Sequence, residues 1–157
     1  MAHEIIEHNP DLDSFVFVGI RSRGIHFANR LAARVQELVE REIPVGSIDI
    51  SLYRDDVDRP SERIEATSAD VPFSIDQRVV CLVDDVLATG RTLRVALDVL
   101  SGLGRLRAVQ VAVLVDRGKR EVPIRADYVG YNVDEGEDRR VHVRVRELDG
   151  ADEVALQ

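Results

Sequence analysis

Three short stretches of this sequence are apolar almost without interruption: Phe15–Ile20, residues 78–83 and residues 108–115. A strand with one wet face alternates apolar and polar residues. Runs that do not alternate are covered on both faces. Helical patterns separate them. After the first run, Ala28, Leu31, Ala32, Val35, Leu38 and Val39 recur along one helix face. After the second, Leu93, Ala96, Leu97, Leu100 and Leu103 do the same, with Gly102 and Gly104 expected to end that helix. Buried strands alternating with helices predict an α/β fold, a central parallel sheet flanked by helices on both faces. Ligands of such sheets bind at the carboxyl ends of the strands, beside a topological switch point.

The remaining segments fit around this frame. Residues 43–53 read as a further strand, with Ile48, Ile50 and Leu52 alternating against Ser47, Asp49 and Ser51. Residues 54–70 are polar and unpatterned, too long for a mere connection, so residues 54–72 are expected to form a functional, flexible loop. Residues 116–132 are polar, with Gly118, Pro123 and Gly130 as breakers. Residues 141–145 alternate and read as an edge strand. No repeat, linker or low-complexity tract interrupts the 157 residues, which are expected to form one domain over 1–157.

Composition excludes several classes. Hydrophobic residues make up 45% and charged residues 32%, as in ordinary globular proteins. There is no Trp, which argues against a broad stacking platform for single-stranded nucleic acid. A single cysteine, Cys81, excludes an internal disulfide framework and a cysteine-based zinc site, and its apolar neighbours mark it as a buried small hydrophobe. A formal charge of −8 opposes non-specific nucleic-acid binding over the whole surface. No stretch is apolar enough to span a membrane, and the acidic start is not a signal peptide, so a cytoplasmic protein is expected. The cations are nearly all Arg, which suits bidentate contact with phosphate, and Lys119 is the only lysine.

The chemistry concentrates in Val80-Cys81-Leu82-Val83-Asp84-Asp85-Val86-Leu87-Ala88-Thr89-Gly90-Arg91-Thr92. A buried strand runs into two adjacent carboxylates, then a short turn, then a helix start. A helix N-terminus offers unpaired N–H groups to a phosphate. Gly90 allows close backbone approach, and Thr89 and Thr92 supply hydroxyl donors. Asp84 and Asp85 can accept from ribose hydroxyls or from water on Mg²⁺. A turn and helix cap would account for one acid and one Thr, but not for this whole arrangement.

This segment resembles the diphosphate-sugar signature of type I phosphoribosyltransferases. Four more blocks resemble the family of bifunctional pyrimidine operon regulators and uracil phosphoribosyltransferases. They are Gly19-Ile20-Arg21-Ser22-Arg23-Gly24, Asp49-Ile50-Ser51-Leu52-Tyr53-Arg54-Asp55-Asp56, Val115-Asp116-Arg117-Gly118 and Pro123-Ile124-Arg125-Ala126-Asp127-Tyr128-Val129-Gly130. They occur in order over nearly the whole chain.

The resemblance implies a type I phosphoribosyltransferase fold with a small hood over residues 116–133. It implies that Arg21-Ser22-Arg23-Gly24 holds pyrophosphate and that Tyr53-Arg54-Asp55-Asp56 opens a catalytic lid. Arg54, Asp84 and Asp85 would be catalytic, and Arg117, Asp127, Tyr128 and Val129 would shape the base site. Mg²⁺ would be carried by Asp84, Asp85 and the diphosphate, with no direct protein-only site. The implied substrates are 5-phosphoribosyl diphosphate (PRPP) and uracil, and UMP or UTP would be nucleotide effectors. The implied partners are pyrimidine-operon leader RNA and further copies of the chain, as a homodimer or larger homo-oligomer. His3, Arg120, Arg125, Arg139 and Arg140 are the candidate RNA contacts.

The sequence departs from the family pattern in several places. Family members usually carry roughly one more helix before Ala2, so a shortened N-terminal helix is expected. Tyr131 stands where Lys is common, and Ala88 where Tyr is common. Residues 134–137, Asp-Glu-Gly-Glu, are acidic where the family is neutral or basic. Two rival functions stay open on sequence: an RNA-binding nucleotide sensor with negligible catalysis, and a phosphoribosyltransferase for another base with no RNA role.

Overall fold

The computed structural model describes residues 1–50, 68–133 and 140–156. The predicted sheet is present. β1 (Phe15–Ile20), β2 (Val45–Ile48), β3 (Ala69–Asp70), β4 (Val79–Leu87), β5 (Ala108–Asp116) and β6 (Tyr128–Asn132) hydrogen-bond in the order β3-β2-β1-β4-β5-β6. All neighbours are parallel except β3, which runs antiparallel to β2. The chain steps outward from β1 to β2 and β3, then returns to place β4 on the other side of β1. The switch point therefore lies between β1 and β4, with the ends of both strands beside it.

Alternate residues of the buried strands feed two cores. Phe15 and Phe17 of β1 and Cys81 and Val83 of β4 point to one face. There they meet α1 (Ala2–His8) and α2 (Gly24–Val39) through Ile5, Ala28, Ala32 and Val35. Phe15 and Phe17 meet edge to face, 5.1 Å between ring centroids. Val16, Val18, Val80 and Leu82 point to the other face, against Leu93, Ala96 and Leu100 of α3 (Arg91–Leu103). This is the physical reason the apolar runs do not alternate.

Several boundaries differ from the sequence reading. Of the strand expected over 43–53, Val45–Ile48 pair in the sheet, residues 43, 44, 49 and 50 do not belong to β2, and residues 51–53 lie outside the described residues. Ser47, one of the polar residues of the alternation, is buried, and its hydroxyl accepts from Arg21 Nε at 3.2 Å. Leu38 is exposed, in the last turn before the left-handed Glu40 that ends α2, whereas its neighbour Val39 still packs on the core. Gly104 caps α3, whereas Gly102 lies inside it. β4 does not stop at residue 83. It runs through both carboxylates to Leu87, because Val86 and Leu87 still pair with Val115 and Asp116 of β5.

Residues 116–132 are not wholly irregular, since β6 is a full member of the main sheet. Gly130 is no breaker there. A Cβ on it would stand 2.7 Å from the Leu114 carbonyl oxygen, so glycine permits the close approach of β5. Residues 141–145 do not edge the main sheet. β7 (Val141–Arg144) pairs antiparallel with β8 (Glu153–Leu156), and the turn between them carries α4 (Arg146–Asp149). Val143 and Val145 pack this unit on Val115, with Phe27 and Val86 beside them. It therefore stands over the carboxyl ends of β4 and β5. Of the loop expected over 54–72, residues 54–67 lie outside the described residues, and its last part includes β3.

Candidate active site

A cleft of about 230 Å³ opens at the switch point. Ile20 and the turn Arg21-Ser22-Arg23 form one wall, and Asp84, Asp85 and Val86 of β4 form the floor. Thr92 of α3, Ile50 and Val141 of β7 complete it. The Arg21–Ser22 peptide bond is cis.

Two helices begin beside this cleft, α2 directly after the Arg21–Arg23 turn and α3 directly after Gly90. Neither has a side-chain cap, and neither carries an acid in its first turn. Most helices satisfy their first N–H groups with Ser, Thr, Asp or Asn at the cap. At α3 the Arg91 N–H is taken by Thr89 Oγ1, but with no cap from the N-cap residue the two long helices still offer one polar cleft a pair of anion sites whose dipoles add to the attraction. Gly90 sits at φ +88°, left-handed, and a Cβ there would lie 2.6 Å from Val122 Cγ2. The close fit is needed because residues 121 and 122 donate their N–H groups to the Thr89 carbonyl, at 2.9 and 3.2 Å. Gly24 is equally confined: its Cβ would stand 2.3 Å from the Val83 carbonyl oxygen.

The carboxylates differ in setting. Asp84 is 7% exposed, and Asp85 is half-buried. Asp84 Oδ1 accepts the N–H of Asp85, and Asp85 Oδ1 accepts the N–H of Val86, each at 2.9 Å. These bonds hold both side chains against their own backbone at the cleft floor. Asp84 therefore does not sit at an open strand end, as its sequence position suggested.

A phosphoribosyl transferase domain model matches residues 1–149. The bifunctional protein PyrR of Pelotomaculum thermopropionicum is 50% identical over 156 residues, which cover 99% of this chain and 86% of that protein. The chain belongs to the phosphoribosyl transferase family, in its PyrR group. The bifunctional protein PyrR of Chloroflexus aurantiacus is 52% identical over 158 residues, covering 99% of this chain and 86% of its own. A hypoxanthine phosphoribosyl transferase of Trypanosoma cruzi shares the fold, with a TM-score of 0.76 at 20% identity over 99% of this chain and 83% of that one. The fold is thus the type I phosphoribosyltransferase fold expected from sequence.

On this phosphoribosyltransferase frame the residues singled out in the sequence separate into groups. Arg21, Ser22, Arg23, Asp84, Asp85, Val86 and Thr92 line the cleft. Val80, Cys81, Leu82 and Val83 are core residues of β4 that carry the acids to their place. Cys81 is buried, and burial, with Asp127 adding, pushes its thiol far above the usual range, so it is inert as a nucleophile. Leu87 is buried, and its carbonyl accepts the N–H of Arg117 at 2.8 Å. Ala88 presents its carbonyl to Arg120 Nη1 at 2.8 Å. Thr89 Oγ1 accepts the Arg91 N–H at 3.3 Å, and Arg91 pairs with Glu121 at 2.6 Å. Arg54 lies outside the described residues.

The base-site candidates are less uniform. Arg117 follows β5 at the cleft end of the sheet. Asp127 is tied to β5, with Val111 donating to its carboxylate at 2.7 Å and its own N–H returning to the Val111 carbonyl at 2.8 Å. Tyr128 is 1% exposed in the core beneath α1. Its hydroxyl donates to Gln110 Oε1 at 2.9 Å and accepts from Asn9 at 3.2 Å, and burial pushes its pKa up to about 12. Val129 packs into the opposite core. Asp127, Tyr128 and Val129 therefore fasten β6 to the sheet and do not line the cleft.

Among the RNA candidates, Arg120 is withdrawn from the surface. Its guanidinium donates to the Ile124 carbonyl at 2.7 Å, the Ala88 carbonyl at 2.8 Å and Asp116 at 2.5 Å. It ties the segment after β5 to the signature turn. His3, Arg125 and Arg140 are exposed. Arg139 and residues 134–138 lie outside the described residues. Sequence reasoning missed Asp149 of α4, which reaches Arg23 at the cleft; a four-residue helix between two short strands leaves no periodic signal.

Proposed function

We propose that this phosphoribosyltransferase transfers the ribosyl group of PRPP to uracil, giving UMP and diphosphate, and also regulates pyrimidine genes by binding their leader RNA. The observation that carries the catalytic reading is the convergence of two uncapped helix N-termini and two adjacent carboxylates on one cleft. An acidic pair beside two anion sites suits a ligand with a sugar diol in the middle and phosphates at both ends.

In this reading the start of α3 holds the 5-phosphate through Thr89, Gly90 and Thr92. Asp84 and Asp85 face the ribose hydroxyls, and the Arg21–Gly24 turn with the start of α2 takes the diphosphate. The two acids also fit a metal whose shell is completed from the substrate. Among the described residues no three His, Cys, Asp or Glu side chains gather to hold an ion unaided. Bound there with the diphosphate, Mg²⁺ would neutralise the charge of the leaving group. Uracil N1 bonds to the sugar C1 as the C1–oxygen bond to diphosphate breaks. The bonding pair leaves with diphosphate, and the uracil N1 proton is released. The transition state resembles the electron-poor oxocarbenium of glycoside chemistry. The protein contributes position, charge neutralisation and exclusion of water. Arg54 and the segment it opens supply the lid, and backbone groups of residues 116–133 select the base.

The relatives' description as bifunctional supports the regulatory half. Both substrates and RNA place the protein in the cytoplasm, and a homodimer would sum the fields of His3, Arg125 and Arg140 from two copies. The acidic residues 134–138 oppose phosphate, and Arg120 is already committed inside the fold. RNA binding is therefore expected to be weak and strongly salt-dependent, and to tighten with UMP or UTP. A structured leader is expected to bind ahead of single strands. A titration at two salt concentrations, with and without UMP, against a pyrimidine-operon leader and an unrelated hairpin tests this. Equal, nucleotide-indifferent affinity for both RNAs would leave the enzyme without the regulator.

A further inference from the structure

The turn that lines the cleft and the C-terminal unit are more than a hundred residues apart, yet charge joins them. Arg23, at the N-cap of α2, places Nη2 3.1 and 3.2 Å from the two carboxylate oxygens of Asp149. Two helical turns further along α2, Arg30 makes paired hydrogen bonds to Glu147 at 2.9 and 2.7 Å and reaches Asp152 at 2.7 Å. Those bonds to Arg30 hold the Glu147 and Asp152 carboxyls below the usual carboxylate range. The segment from α4 to β8 is thus clamped along one side of α2.

Asp149 is itself fixed before it meets Arg23. Its Oδ2 accepts the Val145 N–H at 2.8 Å, and its own N–H donates to the Val145 carbonyl at 2.7 Å. Val145 is fully buried against Val115 and Val143. The carboxylate is therefore a stationary anchor, rooted in the β7–β8 unit that also supplies Val141 to the cleft wall. Among the described residues the Arg23 guanidinium bonds no side chain but Asp149, and its Nε is buried without a partner. Asp149 alone sets where this guanidinium points.

We infer that Asp149 is a positioning residue for the diphosphate subsite. It holds Arg23 against the C-terminal unit, and so fixes the 21–23 turn and the open start of α2 in the geometry that receives the diphosphate. Arg21 stays on the cleft side, with Nε on Ser47 and Nη2 3.9 Å from Asp70. This rests on the assignment of the turn to diphosphate in the proposed reaction. It separates two arginines that look equivalent in sequence: Arg21 faces the ligand, whereas Arg23 braces the turn.

The test compares the native chain with Asp149→Asn and Asp149→Glu. Calorimetric binding is measured for PRPP with Mg²⁺, for diphosphate with Mg²⁺ and for UMP, which has no diphosphate. Asn still accepts the Val145 N–H but lacks the charge that holds Arg23. The expected result is about tenfold weaker binding of both diphosphate-bearing ligands by Asp149→Asn, with UMP affinity and melting temperature unchanged. Asp149→Glu restores the charge and is expected to recover most of the loss. Native affinity of Asp149→Asn for both diphosphate ligands overturns the positioning role alone. An equal loss for UMP, or a fall in melting temperature, makes Asp149 a general fold determinant and overturns it too. A native chain that binds UMP but neither diphosphate ligand defeats the proposed reaction itself.

Discussion

Exchanging Asp84 and Asp85 together for Asn is expected to lower turnover by about 10²–10³-fold or more, the scale of losing charge at a preorganised site. The fold should survive. Each carboxylate bonds a neighbouring backbone N–H through one oxygen, and the Asn side-chain oxygen accepts the same bond. The exchange also removes two adjacent like charges from within β4, where Asp84 is nearly buried. The double variant is thus expected to melt within about 4 °C of the native chain, under about 1 kcal/mol. Steady-state kinetics beside a thermal melt checks both halves. Native turnover would remove the acids from the reaction. A collapse of the melt would make them structural, as a strand-end cap would be.

Gly24→Ala, a single methyl at the first residue of α2 directly behind the cleft wall, is expected to be strongly damaging. The added Cβ would lie 2.3 Å from the Val83 carbonyl oxygen and 3.1 Å from Asp84 Cα. Both are backbone atoms of a central strand, so neither can swing aside. Either α2 lifts from the sheet or β4 moves, and both shift the two walls of the cleft relative to each other. A loss of about 3 kcal/mol is expected, as for overpacking against a rigid neighbour. Activity should fall beyond what the fraction unfolded explains, because the start of α2 is part of the proposed diphosphate subsite. Denaturant unfolding with parallel kinetics measures both. A variant as stable and active as native would mean that α2 and β4 are not held this closely.

These two positions also show what was legible in the sequence. The Gly24 contact follows from a turn packed into one tight step between β1 and α2, and the block around it was visible as Arg-Ser-Arg-Gly. The acids and Thr-Gly-Arg-Thr were visible because local chemistry dictated them: two charges in a buried run, then a glycine that must take φ +88°. The two-faced burial of β1, β4 and β5 was legible because those runs lack alternation.

What escaped depended on partners far along the chain. β6 was hidden by Gly130, which is there to admit the Leu114 backbone. Tyr128 and Asp127 belong to blocks that look functional, but Gln110, Asn9 and Val111 draw them into the sheet. Arg120 looks like a surface cation until Asp116 and the Ala88 and Ile124 carbonyls surround it. Residues 141–145 alternate as an edge strand should, yet pattern alone does not say which sheet a strand joins. β7 pairs with β8 because their turn buries Val143 and Val145 on the end of β5.

The central claim is that the cleft transfers a phosphoribosyl group to uracil. Its most direct test incubates the full chain with PRPP, Mg²⁺ and radiolabelled uracil, hypoxanthine, guanine or adenine in separate reactions, and resolves the products. Labelled UMP from uracil alone, with diphosphate released in equal amount and none without the base, is the predicted result. Nucleotide formed from a purine base, or from no base at all, would contradict it.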